Sequence, residues 1–265
     1  MDLGLADARV LVTGGASNIG RGIVHGFAAE GSRIVICDID GEQAEKVRFE
    51  AIELGAAAVE VVAVDLTAEG AAEQAVQCAV DAWGGLDILI NNAGWSRPGF
   101  LTDDTDRALW QRTVEVNLFT AIGTTQAALA PMIEARRGSI VFIASDAAFG
   151  QIRQAVYGAT KAGMIALARS TAKEQGRNGI RSNIVCPGLV VPAGPEAVGR
   201  DSLWAVGNDS VFNEKQIDFL LKDIPLRRLT DAADVANAVL WMSSDAAARQ
   251  VTGQMFSVSG GYTMP

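Results

Sequence analysis

The sequence predicts a doubly wound α/β fold: a seven-stranded parallel sheet with helices on both faces and a lid inserted after the sixth strand. Three observations predict it. Short runs rich in Val and Ile alternate from end to end with longer amphipathic or Ala-rich stretches, the pattern of right-handed β-α-β crossovers. Several of the short runs are apolar nearly throughout, as strands covered on both faces are. At 265 residues and 49% hydrophobic content, the chain is long enough to bury one large core, so a single domain over 1–265 is expected.

In chain order, the strands are "ARVLVT" (8–13), "RIVICD" (33–38), "VEVVAVD" (59–65), "LDILIN" (86–91), "GSIVFIA" (138–144), "IRSNIVC" (180–186) and "QMFSV" (254–258). Helical spacing lies between them, near 19–30, 41–54, 68–82, 105–135, 155–177 and 231–243. One stretch breaks the rhythm. Residues 187–226 hold four of the seven prolines, with helix-like apolar spacing around Leu203 to Leu221. An insertion beside the carboxyl ends of parallel strands suits a substrate lid, since ligands bind in that crevice. A plain surface loop is the alternative.

Composition narrows the function classes. A net charge of −9 argues against nucleic acid or an anionic membrane surface, both of which need a basic face. No apolar run of membrane-spanning length is expected. "MDLGLADARV" lacks the basic start and apolar core of a signal peptide, so a cytoplasmic location is expected. Cys37, Cys78 and Cys186 are odd in number and far apart, and read as small core residues rather than disulfides or metal ligands. With His25 the single histidine, a histidine-rich metal site is impossible and no metal is expected.

The chemistry starts at "LVTGGASNIGRG", Leu11 to Gly22, where a strand, a turn of small residues and a helix follow one another. That context suits a dinucleotide loop, whose backbone N–H groups and helix N-terminus face a pyrophosphate. The spacing departs from strict G-x-G-x-x-G, with Asn18 where a glycine is wanted; Asn tolerates positive φ, so the geometry can survive. Asp38 ends the second strand eighteen residues past Gly20. A carboxylate there accepts both hydroxyls of an adenosine ribose and repels a 2′-phosphate, favouring NAD over NADP. Otherwise it is a strand-end turn residue.

"YGATK" sets Tyr157 and Lys161 four apart on one helix face. A neighbouring ammonium is expected to lower the phenol pKa, making the pair a proton donor and acceptor for a substrate oxygen. Ser145 lies twelve residues earlier at a strand end, within plausible reach of the same oxygen. Asn117 sits mid-helix, where Asn needs a reason. "NNAG", Asn91 to Gly94, closes the fourth strand with small residues, and Asp65 closes the third.

Together these residues resemble the short-chain dehydrogenase/reductase family along essentially the whole chain. The matching pieces are "TGGASNIG", "VDL" around Asp65, "NNAG", Asn117, Ser145, "YGATK", Pro187 with Gly188, and "VTGQMFSVSGG". The resemblance implies a Rossmann-like sheet, an NAD-type cofactor and, commonly, a homotetramer built through the two long helices. It casts Tyr157 as general acid/base, Lys161 as the group that lowers the tyrosine pKa and holds the nicotinamide ribose, Ser145 as the substrate-oxygen anchor, and Asn117 as holder of a relay water. It implies cofactor contacts from Gly14, Ser17, Asn18, Ile19 and Gly20, from Asp38 and Ile39, and from Asp65 and Leu66. Further contacts come from Asn91, Ala93 and Gly94, from Tyr157 and Lys161, and from Pro187, Gly188 and Val190. Three positions depart from the family pattern: Asn18 for glycine, Pro192 for threonine and Ser259 for aspartate.

For substrate, Trp95, Phe100, Phe149, Val191, Trp204, Val206 and Phe212 offer an apolar wall and Arg97, Arg153 and Gln154 a polar rim beside Ser145 and Tyr157. An apolar alicyclic or aromatic secondary alcohol and its ketone are expected. The alternatives are a 3-oxoacyl thioester reductase on the same scaffold and a dinucleotide sensor without turnover. Asp146, next to Ser145, reads as a solvated strand-end carboxylate at the pocket mouth.

Overall fold

The computed structural model describes residues 2–199, 202, 204 and 214–265. Seven strands, β1 (Arg9–Thr13), β2 (Arg33–Asp38), β3 (Ala58–Ala63), β4 (Ile88–Asn91), β5 (Gly138–Ile143), β6 (Ile180–Pro187) and β7 (Met255–Val258), form one sheet in the order β3-β2-β1-β4-β5-β6-β7. Every pairing is parallel. The chain winds outward from β1 to β3, returns past its start and winds the other way from β4. The crevice between β1 and β4 is therefore the switch point, where open parallel sheets bind ligands.

Alternation along the strands divides the core in two. Val10, Val12, Ile34, Ile36, Ile88, Ile90 and Val141 pack with Ile23, Val24, Phe27, Val235 and Val239 from α1 (Asn18–Ala29) and α8 (Ala232–Ser243). Their neighbours Leu11, Val35, Leu89, Ile140 and Phe142 face Ala75, Ala79, Ala128, Met132 and Met164 from α3 (Ala71–Trp83), α5 (Thr120–Ala135) and α6 (Ala155–Gln175). Because successive side chains point to opposite faces, a continuous apolar run is what a twice-covered strand needs. The third strand sits at the sheet edge and is buried only at Val59 and Val62, with Glu60 and Ala63 exposed.

Helix starts follow local chemistry. Asp40 caps α2 (Gly41–Glu53) by accepting from the Gln43 N–H, and Asp106 caps α4 (Arg107–Val114) through Ala108 N–H. Asp231 and Asp234 cap α8 reciprocally. Such caps satisfy N–H groups that the helix itself leaves unpaired. The fourth strand begins two residues later than expected, since Asp87 is drawn to Arg9: its carboxylate accepts from Nε and Nη2 at 2.7 Å each and from the Arg9 backbone N–H.

The helix expected over 105–135 is one run interrupted by a π-helical turn, Glu115–Phe119, between α4 and α5. By length and composition alone Arg107–Ala135 is apolar enough to cross a bilayer, a test that the core helix of a folded domain also passes. Here the run covers the sheet, its Thr124 and Thr125 hydroxyls bonded to the side chain of Asn91. In the inserted stretch, a 3-10 turn (Pro195–Ala197) and α7 (Glu214–Asp223) are described, followed by α9 (Asp245–Ala248) beyond α8. Val206 and Phe212 lie outside the described residues.

Candidate active site

A cleft of about 850 Å³ opens along the carboxyl ends of the strands. Gly14, Ser17, Asn18, Ile19 and Gly20 line one wall, with Asp38, Ile39, Asp65 and Leu66 at one end and Ala93, Gly94, Trp95, Tyr157 and Lys161 at the other; Trp204 also lines it. The pieces come from β1, β2, β3, β4 and α6, so no local segment could hold the site alone.

The loop after β1 is shaped for close approach. Gly14 has φ 62°, and a Cβ on Gly20 would run into the Gly14 carbonyl oxygen. Asn18 has φ 41°, so it stands in for glycine in the left-handed region that Asn tolerates. Its side chain also works: Nδ2 donates to the Val190 carbonyl at 3.3 Å. Ser17 Oγ accepts from Gly199 N–H at 3.1 Å and lies 3.4 Å from the Ala197 carbonyl, while Gln43 Nε2 donates to the Glu196 carbonyl at 2.7 Å. The first part of the insertion is thereby fastened to the glycine loop.

Asp38 accepts from Ala16 N–H at 2.9 Å and Asp40 N–H at 3.0 Å. Burial pushes its carboxyl above the usual range against those bonds. Asp65 is anchored by Thr67, whose N–H and hydroxyl both donate to one carboxylate oxygen. Asn91 is not among the residues lining the cleft, its buried side chain being bonded to Thr124 and Thr125. Its neighbour Asn92, which the sequence reading passed over, lines the cleft and donates to both the Thr13 and Gly14 carbonyls. The doubled asparagine of "NNAG" carried that signal, one residue facing each way from the end of the strand.

Lys161 is 2% exposed, with Nζ donating to the Ile143 carbonyl at 2.8 Å. It has no carboxylate partner among the described residues, and burial brings its pKa down to about 8. A Cβ on Gly94 would come within 3.4 Å of this ammonium and 2.8 Å of Asn117 Oδ1, so the second glycine-sized gap accommodates the lysine. Tyr157 presents its ring 5.6 Å from Nζ. Burial pushes the Tyr157 phenol up to about 12 against the hydrogen bond with Ser145. This reverses the lowered value expected from the Tyr-Lys spacing. The ammonium points at a backbone carbonyl rather than at the phenol oxygen, and desolvation of the phenolate outweighs it. In this state the tyrosine is an acid.

Ser145 ends the fifth strand and caps the 3-10 turn Asp146–Phe149, its Oγ accepting from Ala147 N–H. Asn117, fully buried in the π-helical turn, clamps the Trp95 backbone: Nδ2 donates to the Trp95 and Thr113 carbonyls and Oδ1 accepts from Trp95 N–H. Both amide hydrogens are spent, which leaves its side chain one acceptor position. The Trp95 ring lies under the Arg112 guanidinium, 4.9 Å away.

Pro187, Gly188 and Val190 are not among the residues lining the cleft; Gly188 N–H pairs with Val258 and Val190 bridges Thr230. A second cavity of about 360 Å³ abuts Tyr157 and holds Arg97, Phe100, Arg153 and Gln154, the last accepting from buried Ser96 Oγ at 2.8 Å. Phe149 lines neither and is 44% exposed. His25 is occupied elsewhere, bonded to Glu50 with Arg21, so it belongs to no catalytic triad with Ser145.

A parallel sheet with a phosphate-shaped loop at its switch point, a Tyr and Lys at the far end of the same cleft, and a Ser hydrogen-bonded to that Tyr define a nicotinamide-dinucleotide oxidoreductase. Residues 14–263 match the family model described as enoyl-(acyl carrier protein) reductase, and the chain belongs to the short-chain dehydrogenase/reductase family. It is 36% identical, over 99% of both chains, to the (2S)-[(R)-hydroxy(phenyl)methyl]succinyl-CoA dehydrogenase subunit BbsD of Thauera aromatica. It is 34% identical, over 99% of this chain and 100% of the relative, to the 3-oxoacyl-[acyl-carrier-protein] reductase FabG of Chlamydia pneumoniae. Among solved structures, a 7α-hydroxysteroid dehydrogenase complexed with NADH and 7-oxo glycochenodeoxycholic acid superposes with a TM-score of 0.87 at 31% identity, covering 98% of this chain and 96% of that one. A short-chain alcohol dehydrogenase from Sinorhizobium meliloti reaches 0.88 at 29%, covering 99% and 98%.

Proposed function

We propose that the protein is an NAD-dependent oxidoreductase interconverting an apolar, alicyclic or aromatic secondary alcohol and its ketone. The observation that carries this reading is the placement of Tyr157, in reach of Ser145 and 5.6 Å from a buried, carboxylate-free Lys161, at the opposite end of one cleft from Asp38. The bound dinucleotide supplies the hydride acceptor or donor. Gly14, Gly20 and the N-terminus of α1 would hold its phosphates, and Asp38 its adenosine ribose. For reduction, the neutral Tyr157 phenol donates a proton to the carbonyl oxygen while Ser145 fixes that oxygen. For oxidation, the deprotonated Tyr157, a phenolate whose charge the Lys161 ammonium partly offsets, takes the alcohol proton.

Trp95, Trp204 and the neighbouring cavity with Phe100 and Gln154 favour an apolar substrate carrying a polar end. The hydroxy(phenyl)methyl group in the BbsD relative's name supports an aromatic alcohol. A 3-oxoacyl thioester substrate is the second reading, favoured by the FabG relatives. We further propose a cytoplasmic location, in keeping with a net charge of −9 that suits no anionic membrane surface, and a homotetramer, on the strength of Phe119, Ile122 and Ile133, which are exposed along the long helical run. A screen of secondary alcohols with NAD+ and NADP+, following absorbance of the reduced cofactor, tests the assignment. Tyr157→Phe is expected to bind NADH normally and lose turnover by about 10²- to 10⁴-fold, the usual worth of a general acid. Unchanged turnover would overturn the mechanism.

A further inference from the structure

Asp146 is expected from sequence to be solvated, yet it is 5% exposed. Its Oδ1 accepts the Ser145 hydroxyl at 3.2 Å, and Gln151 and backbone N–H groups complete its partners. No cation compensates it among the described residues. The titratable groups facing it are Tyr157 on α6, Cys186 on β6 and Tyr262 beyond β7, and a Cβ on Gly188 would lie 3.7 Å from its Oδ2. A buried carboxyl against the substrate-anchoring serine is costly unless something is gained by it.

Counting hydrogens shows what is gained. A serine hydroxyl has one hydrogen and two lone pairs, and one lone pair of Ser145 is already taken by Ala147 N–H. An ionised Asp146 only accepts, so it claims the Ser145 hydrogen and leaves Ser145 a single lone pair, which the neutral Tyr157 phenol meets until a substrate oxygen comes between them. A lone pair suits the O–H of an alcohol and repels a carbonyl oxygen. A protonated Asp146 donates into that lone pair, and the Ser145 hydrogen swings free for a ketone oxygen.

Resting on the oxidoreductase reading above, we propose that Asp146 is a positioning residue that sets the direction of the Ser145 hydroxyl and thereby whether the site prefers ketone or alcohol. Burial pushes Asp146 up to about 6, while Tyr157 and Cys186 are pushed to about 12 and Lys161 is brought to about 8. Within this cluster, Asp146 is the group that changes charge between about pH 5 and 7.

The test uses acetophenone with NADH and 1-phenylethanol with NAD+, each at saturating cofactor, from pH 5 to 7.5. In the wild type, the ketone KM is expected to rise about three- to tenfold across this range and the alcohol KM to fall similarly, the worth of one hydrogen bond; kcat should move less. Asp146→Asn, which cannot titrate, should flatten both KM profiles. A midpoint near 6 that persists in Asp146→Asn overturns the proposal while leaving the oxidoreductase reading intact. Should the variant fail to fold, acetophenone affinity for the wild-type NADH complex decides, and a pH-independent affinity overturns the proposal. No turnover of this pair or of any alcohol in the screen overturns both readings.

Discussion

Asn18, at φ 41°, donates its side-chain N–H to the main-chain oxygen of Val190, 172 residues away. One residue thus meets the backbone demand of a glycine and supplies a bond that glycine cannot. Asn18→Gly should leave cofactor affinity within a few-fold while lowering stability by about 1 kcal/mol, one hydrogen bond's worth. Asn18→Ala loses the bond and strains the backbone by about 1–2 kcal/mol. Its NAD+ dissociation constant, measured calorimetrically, should therefore exceed that of the glycine variant.

Asp38 is held by Ala16 and Asp40 N–H groups and faces the cleft. Asp38→Ala should weaken NAD+ binding by about ten- to a hundredfold, as hydrogen bonds to a charged group are lost, and narrow the gap between NAD+ and NADP+. Because burial raises this carboxyl's pKa, wild-type NAD+ affinity should fall on acidification at a higher pH than for an ordinary aspartate. A wild-type preference for NADP+ in the kcat/KM ratio would refute the assignment.

Lys161 is brought to about 8 by burial, so its charge is complete below that pH and lost above it. Ketone reduction is expected to decline as pH rises through about 8. Lys161→Met should remove that alkaline limb together with at least about a hundredfold of turnover. Steady-state pH profiles of both proteins check the pair of outcomes.

Asp87 is opposed by burial, but hydrogen bonds from Arg9 and the charges of Arg9 and Arg137 bring its carboxyl below the usual range. A lowered folded-state value means stability that is present above the unfolded pKa of about 3.9 and disappears as pH falls through the folded value. Asp87→Asn should cost about 2 kcal/mol at neutral pH, as charge-assisted bonds become neutral ones. Urea denaturation should show that difference shrinking toward zero as the wild type is acidified.

Much of this was legible in the chain. Strand runs such as "RVLVT" and "RIVICD" carried the parallel sheet because double burial makes their middle positions apolar, and "YGATK" carried the shared face of Tyr157 and Lys161 because helical spacing is rigid. What stayed hidden depends on contacts far apart in sequence. The same spacing that pairs Tyr157 with Lys161 says nothing of the Ile143 carbonyl that captures the ammonium, or of the burial that keeps the phenol protonated. Asp146 looked like an exposed turn residue because nothing local reports that β6 and the segment after β7 close over it. The π-helical turn at Asn117 was equally silent, and the Trp95 backbone that Asn117 clamps from it lies 22 residues earlier.

The fastening of residues 190–199 to Ser17, Asn18 and Gln43 has a kinetic meaning. The roof of the reaction chamber hangs from the floor on which the coenzyme is laid. A pyrophosphate seated against Ser17 and Asn18 would bear on the very points from which that roof is suspended. Product-inhibition kinetics are expected to show a queue, with coenzyme entering first and leaving last.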